Sequence, residues 1–238
     1  MLKICVAYIA VTGGPLTEDH CAKLAATYHE FPPGADHDTI IICQGGPLPT
    51  STMVLFSGMK ANMWPHPNDG GWDVSSYLDA ARGPCAEYDM MLCLGESNYF
   101  HRAGWLHRFV DAWQNIGPGM YGPYASNVIR GHLQTTAFCC HPRMLQQYPA
   151  PVRNRQERYA FEHGEQALWR RIAQHGMPVR LVTWNGAWEP GSWRMPQNII
   201  YRGDQSNCLM WCNHSDGFRD ADRVRKASWS MSADRPFV

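Results

Sequence analysis

"YDMMLCLGESNYF", Tyr88 to Phe100, decides how the chain is read. Met90 to Leu94 is continuous, short and apolar, the pattern of a strand buried on both faces of a parallel sheet. It then stops on Gly95-Glu96-Ser97-Asn98, where a carboxylate and two small polar side chains follow a glycine. Working back, Leu2 to Val11 has the same profile and ends at Thr12-Gly13-Gly14-Pro15. Thr39 to Cys43 repeats it and ends at Gln44-Gly45-Gly46-Pro47.

Helical patterns separate these strands. Thr17 is read as the cap of a helix with Glu18 and Asp19 in its first turn and Cys21, Leu24, Ala25 and Tyr28 on its apolar face. Asp73 is read as the cap of another, with Val74, Tyr77, Leu78 and Ala81 on one face and Gly83-Pro84 as its stop. Trp105, Leu106, Phe109, Val110, Trp113 and Ile116 recur at helical spacing before Gly117. The alternation over the first half predicts an α/β protein with a doubly wound parallel sheet. Beyond residue 117 the pattern changes to short strands (Met120-Tyr121, Leu133 to Cys140, Val179 to Trp184) around one long helix near Gln156 to His175. The tail from Phe218 is polar.

Length and composition bound the function. At 238 residues one α/β unit is expected. No run of about 18 apolar residues is present, and the N-terminus lacks a signal-peptide pattern, so the expectation is a cytoplasmic protein with no membrane span. Nine cysteines, an odd number with Cys139 and Cys140 adjacent, favour reduced thiols. Cys208, Cys212 and His214 with Cys139, Cys140 and His141 lack the paired spacing of a zinc framework. Net charge is zero, but residues 1–100 hold four Lys/Arg against eleven Asp/Glu, and residues 101–238 hold seventeen against ten. The excess includes Arg153, Arg155, Arg158, Arg170 and Arg171 and suits an anionic partner, a diphosphate or a nucleic-acid backbone, or forms a solvated basic face.

In open α/β sheets ligands bind beyond the carboxyl ends of the strands. Thr12-Gly13-Gly14, Gln44-Gly45-Gly46, Asp73 and Glu96 would gather there. Neither GxGxxG nor GxxxxGK[ST] is present.

"NDGGWDVSSYLDAA" (68–81), "YDMMLCLGESNYFHRAGWLHRFVDAW" (88–113), "GPGMYG" (117–122), "HLQTTAFCCHPRML" (132–145), "YAFEHG" (159–164) and "RGDQSN" (202–207) follow an order that resembles small GT-A-fold glycosyltransferases of viral and bacterial type. The resemblance covers most of residues 2–218. It implies an α/β, GT-A-like catalytic domain over 1–218 on a Rossmann-like, mostly parallel sheet, with a nucleotide-sugar half (1–117) and a smaller mixed acceptor-side half (118–218), followed by a polar arm (219–238). It also implies donor contacts from Ala7, Thr12, Gly13, Asn68, Asp73, Glu96, Asn98 and Asp204, with a UDP-sugar as the favoured donor.

Such enzymes carry an Asp-x-Asp where this chain has Gly95-Glu96-Ser97-Asn98. A divalent cation (Mn²⁺ or Mg²⁺) would therefore rest on Glu96 and on a late histidine, His214, or Glu96 would instead bind a sugar hydroxyl. Glu162, read as opening the long helix, is the expected catalytic base of an inverting reaction, with Glu165 its rival; a retaining reaction needs no such base. Trp184, Trp188 and Trp193 are candidates for stacking on a sugar or base.

Two acceptors stay open. The small phage glycosyltransferases associated with ten-eleven-translocation-type dioxygenases are similar in size, and the arginines Arg153, Arg155 and Arg158 suit DNA. This favours 5-hydroxymethylpyrimidine in phage DNA, with host cytoplasm as the location, over a glycan acceptor. The missing second aspartate motivates a third reading, a non-catalytic nucleotide- or sugar-binding module.

Overall fold

The computed structural model describes residues 2–126, 131–193 and 201–233. Its strands are β1 (Ile4–Val11), β2 (Asp38–Gln44), β3 (Ala61–His66), β4 (Met90–Leu94), β5 (Met120–Gly122), β6 (Ala125–Ser126), β7 (His132–Leu133), β8 (Ala137–Cys140), β9 (Val179–Thr183) and β10 (Gly186–Trp188). The α-helices are α1 (Thr17–Glu30), α2 (Thr50–Val54), α3 (Trp72–Arg82), α4 (Trp105–Ile116), α5 (Pro142–Gln146), α6 (Arg155–His163), α7 (Leu168–Gln174), α8 (Asn213–Asp220) and α9 (Arg223–Ala233).

The protein is α/β. One mixed, mostly parallel sheet has the order β10-β9-β5-β8-β4-β1-β2-β3, and β6 and β7 form a small antiparallel pair. β4, β1, β2 and β3 run parallel; the first three are the strands expected from the apolar runs, and β3 was not expected. β8 then enters antiparallel to β4, so the second half of the chain continues the same sheet.

Alternation along β1 explains why that strand is apolar throughout. Ile4, Val6, Tyr8 and Ala10 enter one core, whereas Cys5, Ala7 and Ile9 enter the other. α1 and α4 cover the first face through Cys21, Leu24, Trp105 and Phe109. α3, α5 and α7 cover the second through Val74, Tyr77, Leu145 and Ile172. All nine cysteines are buried and free. Among the described residues no helix is long and apolar enough to cross a membrane.

Several local expectations are corrected. The long helix is two, because Gly164 leaves helical geometry (φ −69°, ψ 177°) and α7 starts only at Leu168, after Ala167 in its N-cap position. Glu162 therefore ends α6 rather than opening a helix. Neither Thr17 nor Asp73 is a cap: Leu16 and Gly71 hold those positions, and the Thr17 hydroxyl donates to the Val11 carbonyl. Leu133 to Cys140 is broken by a turn into β7 and β8.

Residues 223–233, within the stretch read as an arm, form α9. Its Trp229 ring lies 5.5 Å from Tyr201, and its Ser230 hydroxyl donates to the Tyr201 carbonyl at 2.7 Å.

Candidate functional site

A cleft of about 440 Å³ opens at the carboxyl ends of β1, β2 and β4. The first half of the chain lines it with Val11, His20, Gln44, Asn68, Trp72, Asp73 and Glu96, and the second half with Thr136, Arg158, Asn213 and His214.

The end of β4 is tied down by its neighbours. The Tyr8 hydroxyl donates to the Glu96 carbonyl at 2.6 Å. Gly95 N–H donates to the Thr136 carbonyl at 2.8 Å, and a Cβ on Gly95 would meet that oxygen at 3.1 Å. The Asn98 amide donates to the Gly95 and Thr136 carbonyls at 2.9 and 2.8 Å, and its own oxygen accepts from Tyr124. The polar run after the strand thus divides its labour: Gly95 and Asn98 hold the turn, and Glu96 is left facing the cleft.

The wall opposite follows from "NDGGWD". A Cβ on Gly70 or Gly71 would lie 2.6 Å from the Arg153 carbonyl or 1.8 Å from that of Val152, so only glycines let the segment before α6 approach α3 so closely. That approach brings Arg158 to Asp73, with Nε 3.3 Å from Oδ1, and lays its guanidinium over the Trp72 ring at 5.1 Å. Trp72 is in the left-handed region (φ 51°), where a side chain is strained, and it is 41% exposed. The Gln44 amide donates to the Trp72 carbonyl and to Ser76 Oγ, fastening the start of α3 to β2.

α8 reaches the cleft because Tyr99 and Trp211 exchange backbone hydrogen bonds at 2.9 and 3.0 Å. Cys212 and Ser215 form a capping box at its start, and Asn213 accepts from Ser97 at 3.1 Å.

Electrostatics sort the acids. Burial raises the Asp73 pKa and the Glu162 charge adds to this, outweighing Arg158. Glu162 goes the other way: burial would raise it, but His163, His132 and the Thr135 N–H hold it at about 2. Burial, assisted by Arg158 and opposed by Glu162, lowers His214 and keeps the imidazole neutral. Glu96 Oε2 lies 3.6 Å from His20 Nδ1. Glu96 Oε1, His20 Nδ1 and Arg158 Nε are buried without a hydrogen bond. Such atoms in a cleft call for a ligand or ion. An unsatisfied carboxylate oxygen at the end of β4 is chemically suited to a hard divalent cation, with the neutral His214 imidazole in the same cleft.

Of the residues singled out in the sequence, Asn68, Asp73, Glu96, Arg158 and His214 come together in the cleft. Ala7 lies inside β1, fully buried and paired with Ile40 and Cys93, and cannot contact a ligand there. Thr12 donates to the Gly46 carbonyl and Gly13 makes the turn (φ 77°). Asn98 is buried. Asp204 accepts from Ser206 N–H in an exposed turn and does not line the cleft. Trp193 is fully buried against Trp169, Trp188 donates to Thr183 within the sheet edge, and Trp184 packs on His101 and Arg102; none lines the cleft. Arg153 pairs with Asp69 at 3.6 Å, and Arg155 is exposed at the start of α6.

Glu162 does not line the cleft. It joins His132 and His163 in a group whose ligating atoms all lie within 4.8 Å of one another, and among the described residues this is the one metal-ligating group of three or more. The Cys/His zinc alternative is not assembled among these residues. Sequence reading missed Trp72, His20, Thr136 and Asn213 in the cleft, and His132 and His163 beside Glu162. The signal for Trp72 was present, a Gly-Gly pair followed at once by an aromatic. The histidines meet only through a contact between β7 and α6.

No protein-family profile and no curated protein matches the sequence. Among solved structures, HddC from Yersinia pseudotuberculosis superposes with a TM-score of 0.46 at 8% identity, covering 67% of this chain and 83% of that chain. S. aureus TarS gives 0.45 at 11%, with 62% and 30% covered. The galactosyltransferase LgtC, in complex with donor and acceptor sugar analogues, gives 0.43 at 8%, with 58% of each chain covered. At such scores none of them assigns this chain a family or an activity.

Proposed function

We propose that the cleft binds a nucleotide-sugar and that the protein transfers the sugar to a hydroxyl acceptor. The observation that carries this is Glu96, whose Oε1 has no hydrogen bond, lining one cleft with His20 and the Asp73–Arg158 pair at the carboxyl ends of parallel strands. The order of motifs resembling GT-A glycosyltransferases supports the same reading.

In this reading Trp72 offers its exposed ring to the nucleobase, and Gln44 and Asn68 line the same side. Arg158 and the first turn of α8 face the diphosphate. Glu96 and His214 would hold Mn²⁺ or Mg²⁺, which would neutralise charge on the leaving diphosphate. The acceptor oxygen attacks the sugar's anomeric carbon, the bond to the diphosphate breaks, and the acceptor proton passes to a base. Asp73, with its raised pKa, is better matched to that task than Glu162, because a carboxyl held at about 2 is a weak proton acceptor near neutrality.

The favoured donor is a UDP-sugar. The acceptor placed first is 5-hydroxymethylpyrimidine in DNA, because Arg153 and Arg155 stand beside Arg158 on α6 and the segment before it, where a phosphate backbone could follow them into the cleft. A glycan hydroxyl is the competing acceptor.

The test is mass spectrometry after incubation with UDP-, GDP- and dTDP-sugars and 5-hydroxymethylcytosine-containing DNA, with Mn²⁺ or Mg²⁺. A glycosyl mass added to the nucleoside supports donor and acceptor together. Transfer to an oligosaccharide alone moves the acceptor. Binding of a nucleotide without any transfer turns the reading to a binding module.

A further inference from the structure

We propose that His132, Glu162 and His163 form a zinc site under the cleft wall, separate from the cation that Glu96 would hold. His132 Nε2 lies 3.9 Å from Glu162 Oε1, and His163 Nε2 lies 3.3 Å from Glu162 Oε2. These separations exceed the roughly 2.7–2.9 Å of a charge-assisted N–H···O contact. The second matches the spacing of about 3.3 Å between donors that each sit roughly 2.0–2.1 Å from a tetrahedral ion, and the first, to the other carboxylate oxygen, is longer.

The donor set selects the metal. Two imidazoles and one carboxylate suit zinc better than magnesium or manganese, whose sites are dominated by oxygen. The side chains of His132 and His163 are 5% and 8% exposed and that of Glu162 is 14%, so three protein ligands are sheltered and a fourth position is left for water. The two imidazole rings meet edge to face at 4.0 Å between centroids, and each approaches one oxygen of the Glu162 carboxylate. The orientation of Glu162 is set from outside: Thr135 N–H and Thr135 Oγ1 donate to Oε1 at 2.9 and 3.2 Å.

The site's position gives it a task. It would join β7 to the last turn of α6. Thr136, next to the orienting Thr135, lines the cleft, and so does Arg158, one turn before Glu162 on α6. Zinc here would fix the spacing of those two cleft residues and act as a positioning centre.

The test uses the full chain, stripped with chelator and then equilibrated with zinc in metal-free buffer. The expected result is about one zinc retained per chain, a Tm raised by several degrees, and Co²⁺ substitution giving the visible absorption of a low-coordinate nitrogen–oxygen site. His132→Gln and His163→Gln, each folded by circular dichroism, should lose more than about 100-fold in zinc affinity, beyond the 10–100-fold typical of an outer-shell group. Glu96→Gln should keep the zinc. No retained zinc and no Co²⁺ absorption in the unmutated chain would overturn the proposal. So would affinity unchanged in both histidine variants, or zinc lost only in Glu96→Gln.

Discussion

Asp73 and Glu162 differ in fate because of what surrounds them. Asp73 faces a cleft with one cation beside it, and Glu162 is enclosed by two imidazoles and a backbone N–H. If Asp73 takes the acceptor proton, Asp73→Asn should lower kcat by about 10²–10⁴-fold with the fold intact. A steady-state assay with far-UV circular dichroism checks this, and full activity removes Asp73 from the chemistry. Asn98 gives a contrasting prediction. Asn98→Ala leaves two buried carbonyls, of Gly95 and Thr136, with fewer donors, so denaturant unfolding should register a loss of about 1–3 kcal/mol. The carboxylate after β4 was legible in the sequence because an apolar run ended on it. The roles of Asn98 and Glu162 were not legible, since each depends on partners 26 to 38 positions away in the chain.

At the scale of elements, the start of α3 joins the two halves of the cleft. Gly71 admits the segment before α6, and Trp72 accepts a strained φ to present its ring. Gly71→Ala drives a methyl into the Val152 carbonyl and should cost about 1–3 kcal/mol while weakening nucleotide binding. Trp72→Gly separates stability from function: it removes a left-handed side chain that costs roughly 1–2 kcal/mol, so stability should hold or rise while nucleotide affinity falls at least tenfold. Unfolding curves beside a binding titration read both, and a destabilised Trp72→Gly with unchanged affinity would make the strain purely structural. Periodicity made β1, α1, β2, α3, β4 and α4 legible because each buries a continuous face. The break at Gly164 was not legible, because a single glycine also occurs inside continuous helices.

For the whole molecule, pH acts through buried histidines, His214 in the cleft and His37 and His101 away from it. Burial lowers His37, outweighing its bond to the Ala35 carbonyl. Burial, with Arg219 and Arg102 adding to it, lowers His101, whose Nε2 donates to the Cys208 carbonyl at 2.6 Å and whose ring stacks on Trp211. Their folded pKa values lie below the ordinary 6.5, so the unfolded chain takes up protons first. Their contribution to stability is complete above 6.5 and is lost as pH falls through the folded values. Thermal scans between about pH 7 and pH 5 should show Tm falling, less so in His37→Asn; a flat Tm would contradict this. The parallel half of the sheet could be read from sequence because its strands are apolar on both faces. The antiparallel insertion of β8 beside β4 could not, since pairing order leaves no local pattern. What joins these scales is the claim that the cleft between the two halves binds a nucleotide-sugar. Isothermal titration of UDP with Mn²⁺ into the unmutated chain and into Arg158→Gln tests it most directly. One UDP per chain, with affinity at least tenfold weaker in Arg158→Gln, is the predicted result; no heat of binding from UDP, GDP or dTDP, or binding that Arg158→Gln and Trp72→Gly both leave unchanged, would contradict it.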